Sequence, residues 1–241
     1  MTVNVQSKGA QTRERILDVA QTSVLRKGFG GTSIDEILCE VGITKSGFFY
    51  HFRDKNDLAK GMLQRYLDTE WMIFDELFQQ ADALSEDPLH AFLIFLKLFA
   101  DKMGDLPNGH PGCLAASYVY QDYLFNRDVR AMTTEGHRIW RRRFGERLAR
   151  ISEQYPPRVE IDLQDLADML SAVADGGIIL EKPVRSANPA APNSAVSQLC
   201  EVRLFGLNPC APNAAREIKA PGAPASLLRM LLNICNWELG R

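Results

Sequence analysis

Strand-like alternation, long apolar runs and metal-binding spacings are all scarce in this sequence, and each scarcity excludes a class of protein. No hydrophobic stretch approaches the ~20 residues needed to cross a bilayer. Nothing in Met1–Ala10 has the charged-then-apolar layout of a signal peptide. A soluble cytoplasmic protein is therefore expected. The five cysteines (Cys39, Cys113, Cys200, Cys210 and Cys235) form no C-x-x-C pair, which indicates neither zinc nor a disulfide scaffold. Four scattered histidines come with no nucleophile–base pair, glycine-rich phosphate loop or metal-spaced His/Asp/Glu set. No enzyme, cofactor or metal is expected.

Strong charge is missing as well. The formal net charge is -2; residues 1–60 carry nine Lys/Arg against seven Asp/Glu, and the remainder nineteen against twenty-three. That is far from the basic footprint of a nonspecific nucleic-acid binder. Any argument for DNA must come from geometry.

What is present is helical periodicity over most of the chain. The pattern predicts a first helix over Thr12–Lys27, with Ile16, Leu17, Ala20 and Val24 as its apolar stripe and Gly28 as its stop. Ser33 and Glu36 form an S-x-x-E capping box that opens a second helix. Ile34, Ile37, Leu38 and Val41 follow with core spacing, and Gly42 permits the positive φ of a tight turn. Thr44 caps a third helix whose first turn is Lys45, Ser46 and Gly47. Asp54, with Asp57 three residues on, opens a long fourth helix. Two short helices around a three-residue turn are the layout of a helix-turn-helix, whose second helix enters the DNA major groove. Phe48 and Phe52, four residues apart, are expected in the core whatever the function.

The candidate DNA contacts follow from this layout. Ser46 and Gly47 are small enough for close approach. Thr44 and Ser46 can hydrogen-bond, and Lys45 adds charge. Tyr50 and His51 suit phosphate near the helix end. Thr32 before the second helix and Lys55 at the start of the fourth are placed to clamp flanking phosphates, and Ser33 is a further candidate contact.

The block TRERILDVAQTSVLRKGFGGTSIDEILCEVGITKSGFFYHFRDKNDL resembles the N-terminal domain of TetR-family transcriptional regulators. The matching positions include Arg13, Ile16, Leu17, Ala20, Gly28, Thr32, Ser33, Ile37, Gly42, Lys45, Tyr50, His51, Phe52, Lys55 and Leu58, and Arg13 joins the candidate DNA contacts. The resemblance implies an all-α chain with a three-helix DNA-binding domain at 1–60 and a larger helical bundle at 61–241. The bundle would bind a small effector and form a homodimer on double-stranded operator DNA. Three departures stand out. Phe49 replaces the usual Tyr, removing a phosphate-binding hydroxyl; Leu38 and Val41 replace alanines; Gly47 replaces a commonly polar residue.

In the larger region, apolar segments at 58–80, 88–103, 113–125, 128–154 and 162–181 alternate with loops, which points to a bundle. An effector pocket should be aromatic with few polar groups. Candidates are Trp71, Phe74, Phe95, Phe99, Met103, Tyr118, Tyr123, Trp140 and Phe144, and they favour a hydrophobic effector. The run Arg138, Arg141, Arg142, Arg143, Arg147 and Arg150 circles its helix and is expected to be solvated and paired with acids. Cys113 is expected to be a buried, inert thiol.

The resemblance makes 162–181 the first dimer helix. Residues 183–225 then hold seven of the twelve prolines and read as irregular, ahead of a short helix over 225–239. Either an insertion or a shifted reading frame accounts for that change, and both imply a weaker or differently built dimer. Two rival readings remain at this stage: a helical interaction protein whose DNA binding has lapsed, and a small enzyme using the bundle pocket.

Overall fold

The computed structural model describes residues 7–104, 111–157 and 160–187, and among them all regular structure is helical. The elements are α1 (Lys8–Lys27), α2 (Ile34–Val41), α3 (Lys45–His51), α4 (Lys55–Leu84), α5 (Pro88–Gly104) and α6 (Leu114–Val119). A 3₁₀ turn over Asp122–Leu124 precedes α7 (Arg127–Gln154) and α8 (Leu163–Ala187). No helix among the described residues is long and apolar enough to cross a membrane.

Local chemistry sets most boundaries. The start of α1 lies one turn ahead of the expected Thr12, because the Ser7 side chain accepts a hydrogen bond from the Ala10 amide and caps the helix there. The capping box of α2 is complete. Ser33 Oγ accepts from the Glu36 amide, and Glu36 accepts from the Ser33 amide, both at 3.1 Å. At the start of α4, Asp54 accepts from the Asp57 amide at 2.8 Å while Asp57 accepts from the Arg53 amide at 3.0 Å. The segment expected as one helix over 113–125 is instead α6 plus the 3₁₀ turn. The last helix among the described residues, α8, runs through Pro183 to Ala187. The rest of the segment expected to be irregular, and the short helix expected over 225–239, lie outside the described residues.

Two compact units divide the described chain. The first joins residues 7–72 to residues 111–138. Its core takes Ile16, Leu17, Ala20 and Val24 from α1, Ile37 and Val41 from α2, and Phe48 with the adjoining Phe52. It adds Leu58, Met62 and Leu63 from α4, and Leu114, Tyr118, Phe125 and Val129 from the later segment. The second unit joins residues 73–104 to residues 139–157 and 160–187. Its core is aromatic, built on Phe74, Phe78, Phe92, Phe95, Phe99 and Phe144 and closed by Leu148, Ile151, Ala167 and Ala174.

Candidate nucleic-acid interface

Within the first unit, α2 and α3 are joined by a turn with little freedom. Gly42 adopts a left-handed conformation (φ 74°, ψ 41°), and the Gly42 and Ile43 amides both donate to the Leu38 carbonyl, at 2.9 and 3.1 Å. This double ending of α2 satisfies a carbonyl that would otherwise lack a partner. Arg15 reaches across from α1 to donate to the Val41 carbonyl at 2.9 Å, fixing the same end. Thr44 then caps α3, accepting from the Gly47 amide at 3.2 Å. Sequence reading identified the glycine and both caps; Arg15 carried no local signal.

Burial orients α3. Phe48 and Phe52, 0% and 2% exposed, face the core with ring centroids 5.7 Å apart. The opposite side carries Ser46 and Tyr50, flanked by Phe49 and Gly47, with Lys45 exposed at the first turn. Tyr50 is 82% exposed and lies edge-on to His51, which is half-buried. The hydroxyls of Thr44 and Ser46 lie 3.0 Å apart at the exposed start of the helix. Ser33 is exposed at the start of α2.

Three of the sequence-predicted contacts are engaged by the protein itself. Thr32 is 2% exposed; its hydroxyl lies 3.1 Å from that of Ser23 and donates to the Gly28 carbonyl at 3.0 Å. The Lys55 ammonium donates to the Phe29 carbonyl at 2.6 Å and sits 4.3 Å from the Phe29 ring centre. Desolvation there lowers its pKa. Arg13 lies over the Phe52 ring at 5.1 Å and 3.4 Å from Glu14. These groups brace the module from within, whereas Ser33, Thr44, Lys45, Ser46, Gly47 and Tyr50 stand at its outer surface.

The bracing continues in contacts that no periodicity could reveal. Arg65 of α4 donates to Glu14, Asp18 and Gln21 along α1, at 3.1, 2.7 and 2.9 Å. Gln121 accepts from the Gly30 amide at 2.9 Å, and the Tyr118 hydroxyl donates to the Ala59 carbonyl at 3.0 Å. The rings of Phe29, Tyr118 and Phe125 contact one another, with centroids 4.3 to 6.0 Å apart. The α1–α2 connection is thereby held by residues some ninety positions later in the chain.

The nine candidate pocket residues are divided between the two units. Phe74, Phe95, Phe99, Trp140 and Phe144 meet in the second unit, with Met103 packed against them. The Phe74 ring lies 4.6 to 5.9 Å from the other four, and Phe78 stacks on Phe95 at 3.9 Å. Rings in such contact are a filled core. Trp71 and Tyr118 belong to the core of the first unit, and Tyr123 is 75% exposed there. In the second unit a polar cleft of about 600 Å³ opens instead among Asp82, Ser85, Pro88, Ala91, Arg147 and Arg150. The arginines of α7 are largely paired, as their spacing suggests: Arg138 with Glu135, Arg141 with Asp168, Arg143 with Asp75 and Arg147 with Asp82. Cys113 is half-buried and accepts from the Ala116 amide at 3.3 Å, capping α6.

Among the described residues, fold and surface together define a helix-turn-helix unit within a wholly helical architecture. Residues 16–62 match the model of the bacterial regulatory proteins of the tetR family. Among curated proteins, the transcriptional repressor BepR of Brucella suis biovar 1 (strain 1330) is 30% identical over 99 residues, 39% of this chain and 46% of that protein. The repressor NemR of Escherichia coli (strain K12) is 28% identical over 81 residues, 34% of this chain and 41% of that protein. These matches span under half of either relative. The uncharacterized regulator YxaF of Bacillus subtilis (strain 168) is 26% identical over 74% of this chain and 88% of its own length. Among solved structures, the reduced form of E. coli NemR aligns with a TM-score of 0.64 at 19% identity, covering 80% of this chain and 95% of that one. At that identity the likeness speaks for the fold alone. Over residues 16–62 the chain thus matches the tetR family, and beyond them its likeness to these proteins is one of fold.

Proposed function

We propose that this chain is a sequence-specific DNA-binding transcriptional regulator, a repressor that works as a homodimer on operator DNA and is released by a small hydrophobic effector. The observation that carries the reading is the α2–turn–α3 geometry. Its core side is pinned by Phe48 and Phe52 and its outer side offers Lys45, Ser46, Phe49 and Tyr50. A helix so presented fits the major groove, and two copies on a two-fold axis read two half-sites. Ser33, Thr44, Lys45, Ser46, Gly47, Tyr50 and His51 form the contact surface, with Arg13, Thr32 and Lys55 holding it in position. The family match over residues 16–62 and the repressor names of BepR and NemR support the same reading. Release is a population shift: an effector that prefers one conformation of the C-terminal region changes the separation of the paired recognition helices.

The test is a gel shift and footprint of the full chain on DNA from its own upstream region, repeated across a salt series. Expected is a protected, two-fold-symmetric site whose affinity falls steeply with salt, by about 0.9 in log K per log unit of salt for each phosphate neutralised. Binding that ignores sequence, or no binding by a folded chain, would count against the reading.

A further inference from the structure

The outer face of α3 is poor in the groups that read bases by hydrogen bonds. It has no Arg, Asn or Gln, and Lys45 at its first turn is its one side chain of the kind that pairs with guanine. Of its hydroxyls, Ser46 is within hydrogen-bond distance of Thr44, the Thr44 oxygen already accepts from Gly47, and that of Tyr50 stands at the end of a long side chain 82% exposed. Gly47 has no side chain. The face does offer a rigid apolar group: Phe49, 44% exposed on a helix where Phe48 and Phe52 are buried. Its ring stands perpendicular to that of fully buried Phe48, with centroids 5.4 Å apart, so its direction is set by the core. A phenyl ring cannot bond phosphate. The apolar group that base edges present in the major groove is the C5-methyl of thymine.

We propose that Phe49 is a specificity-determining residue that reads a thymine methyl in each half-site. The inference rests on the DNA-binding reading above. Docking the ring against the methyl removes both apolar surfaces from water.

The probe is the footprinted duplex and a series of copies in which each thymine in turn is replaced by deoxyuracil, which deletes only the methyl. One thymine per half-site is expected where the replacement weakens the wild-type chain by about fourfold, the worth of one buried methyl-sized group. Phe49→Ala should bind the two duplexes alike at that position. A second measurement needs no variant: 5-iodouracil, whose iodine occupies the place of the methyl, should crosslink on irradiation to Phe49, located by mass spectrometry. Equal binding of every deoxyuracil duplex, an undiminished penalty in folded Phe49→Ala, or crosslinking only to another residue overturns the inference and leaves DNA binding standing. A folded wild-type chain that binds no duplex overturns the reading beneath it as well.

Discussion

Two residues show how little space separates a working module from a strained one. Gly42 has open space where a Cβ would point, so Gly42→Ala meets no clash; what it meets is a φ of +74° that L residues avoid. The expected cost is about 1–2 kcal/mol in denaturant unfolding, with Gly42→Asn milder. Gly61 is the reverse case: a Cβ there would lie 3.1 Å from Phe52 and 3.2 Å from Arg13, at the crossing of α4 with α1 and the end of α3. Charge can be tested at the same scale. Lys45 is exposed at the first turn of α3. Lys45→Ala should weaken operator binding without altering the melting temperature and reduce the salt slope by about one per protomer. An unchanged slope would mean that Lys45 meets no phosphate.

At the scale of elements, α2 depends on its capping box and on Lys27, whose ammonium lies 2.6 Å from Glu36. That hydrogen bond first, and the Ser33 amide second, hold the Glu36 carboxyl at about 2 rather than its ordinary 4.5. A carboxyl whose folded pKa lies below its unfolded one contributes stability that is fully present above the unfolded value. The contribution is lost as the pH falls through the folded value. Acid should therefore loosen the start of α2 between about pH 4.5 and 2. Carboxyl-carbon NMR titration should place the Glu36 midpoint near the lower limit, and Lys27→Ala should raise it, whereas Ser33→Ala, which keeps the amide, should cost about 1 kcal/mol through the lost cap. These signals are local, which is why they were legible beforehand: a serine three residues before a glutamate, a glycine after an apolar stripe, a threonine before a small-residue turn. The burial of Thr32 and the capture of Lys55 by Phe29 were not legible, because both depend on how the chain closes around α1 rather than on neighbours in sequence.

For the whole molecule, the consequential feature is that residues 111–138 share a core with residues 7–72. Periodicity predicts helices on both sides of this pairing but cannot match them, since Tyr118 and Ala59 lie 59 positions apart and Gln121 and Gly30 lie 91 apart. The same limit applied to the pocket, where aromatic spacing marked residues as apolar without saying that five of them fill one core while Tyr123 faces solvent. The pairing makes the α1–α2 connection depend on a distant segment, and one side chain isolates that dependence. Gln121 accepts from the Gly30 amide, and its side chain occupies the space that a Cβ on Gly28 would enter. Gln121→Ala removes the acceptor while leaving the Tyr118–Phe29–Phe125 contacts in place. A hydrogen bond of this kind is worth about 1 kcal/mol, so amide exchange at Gly30 should accelerate about fivefold while exchange in the middle of α1 stays as it was. Equal acceleration throughout α1 would mean that Gln121 supports the unit as a whole. No acceleration at Gly30 would mean that the connection is held by the aromatic contacts alone.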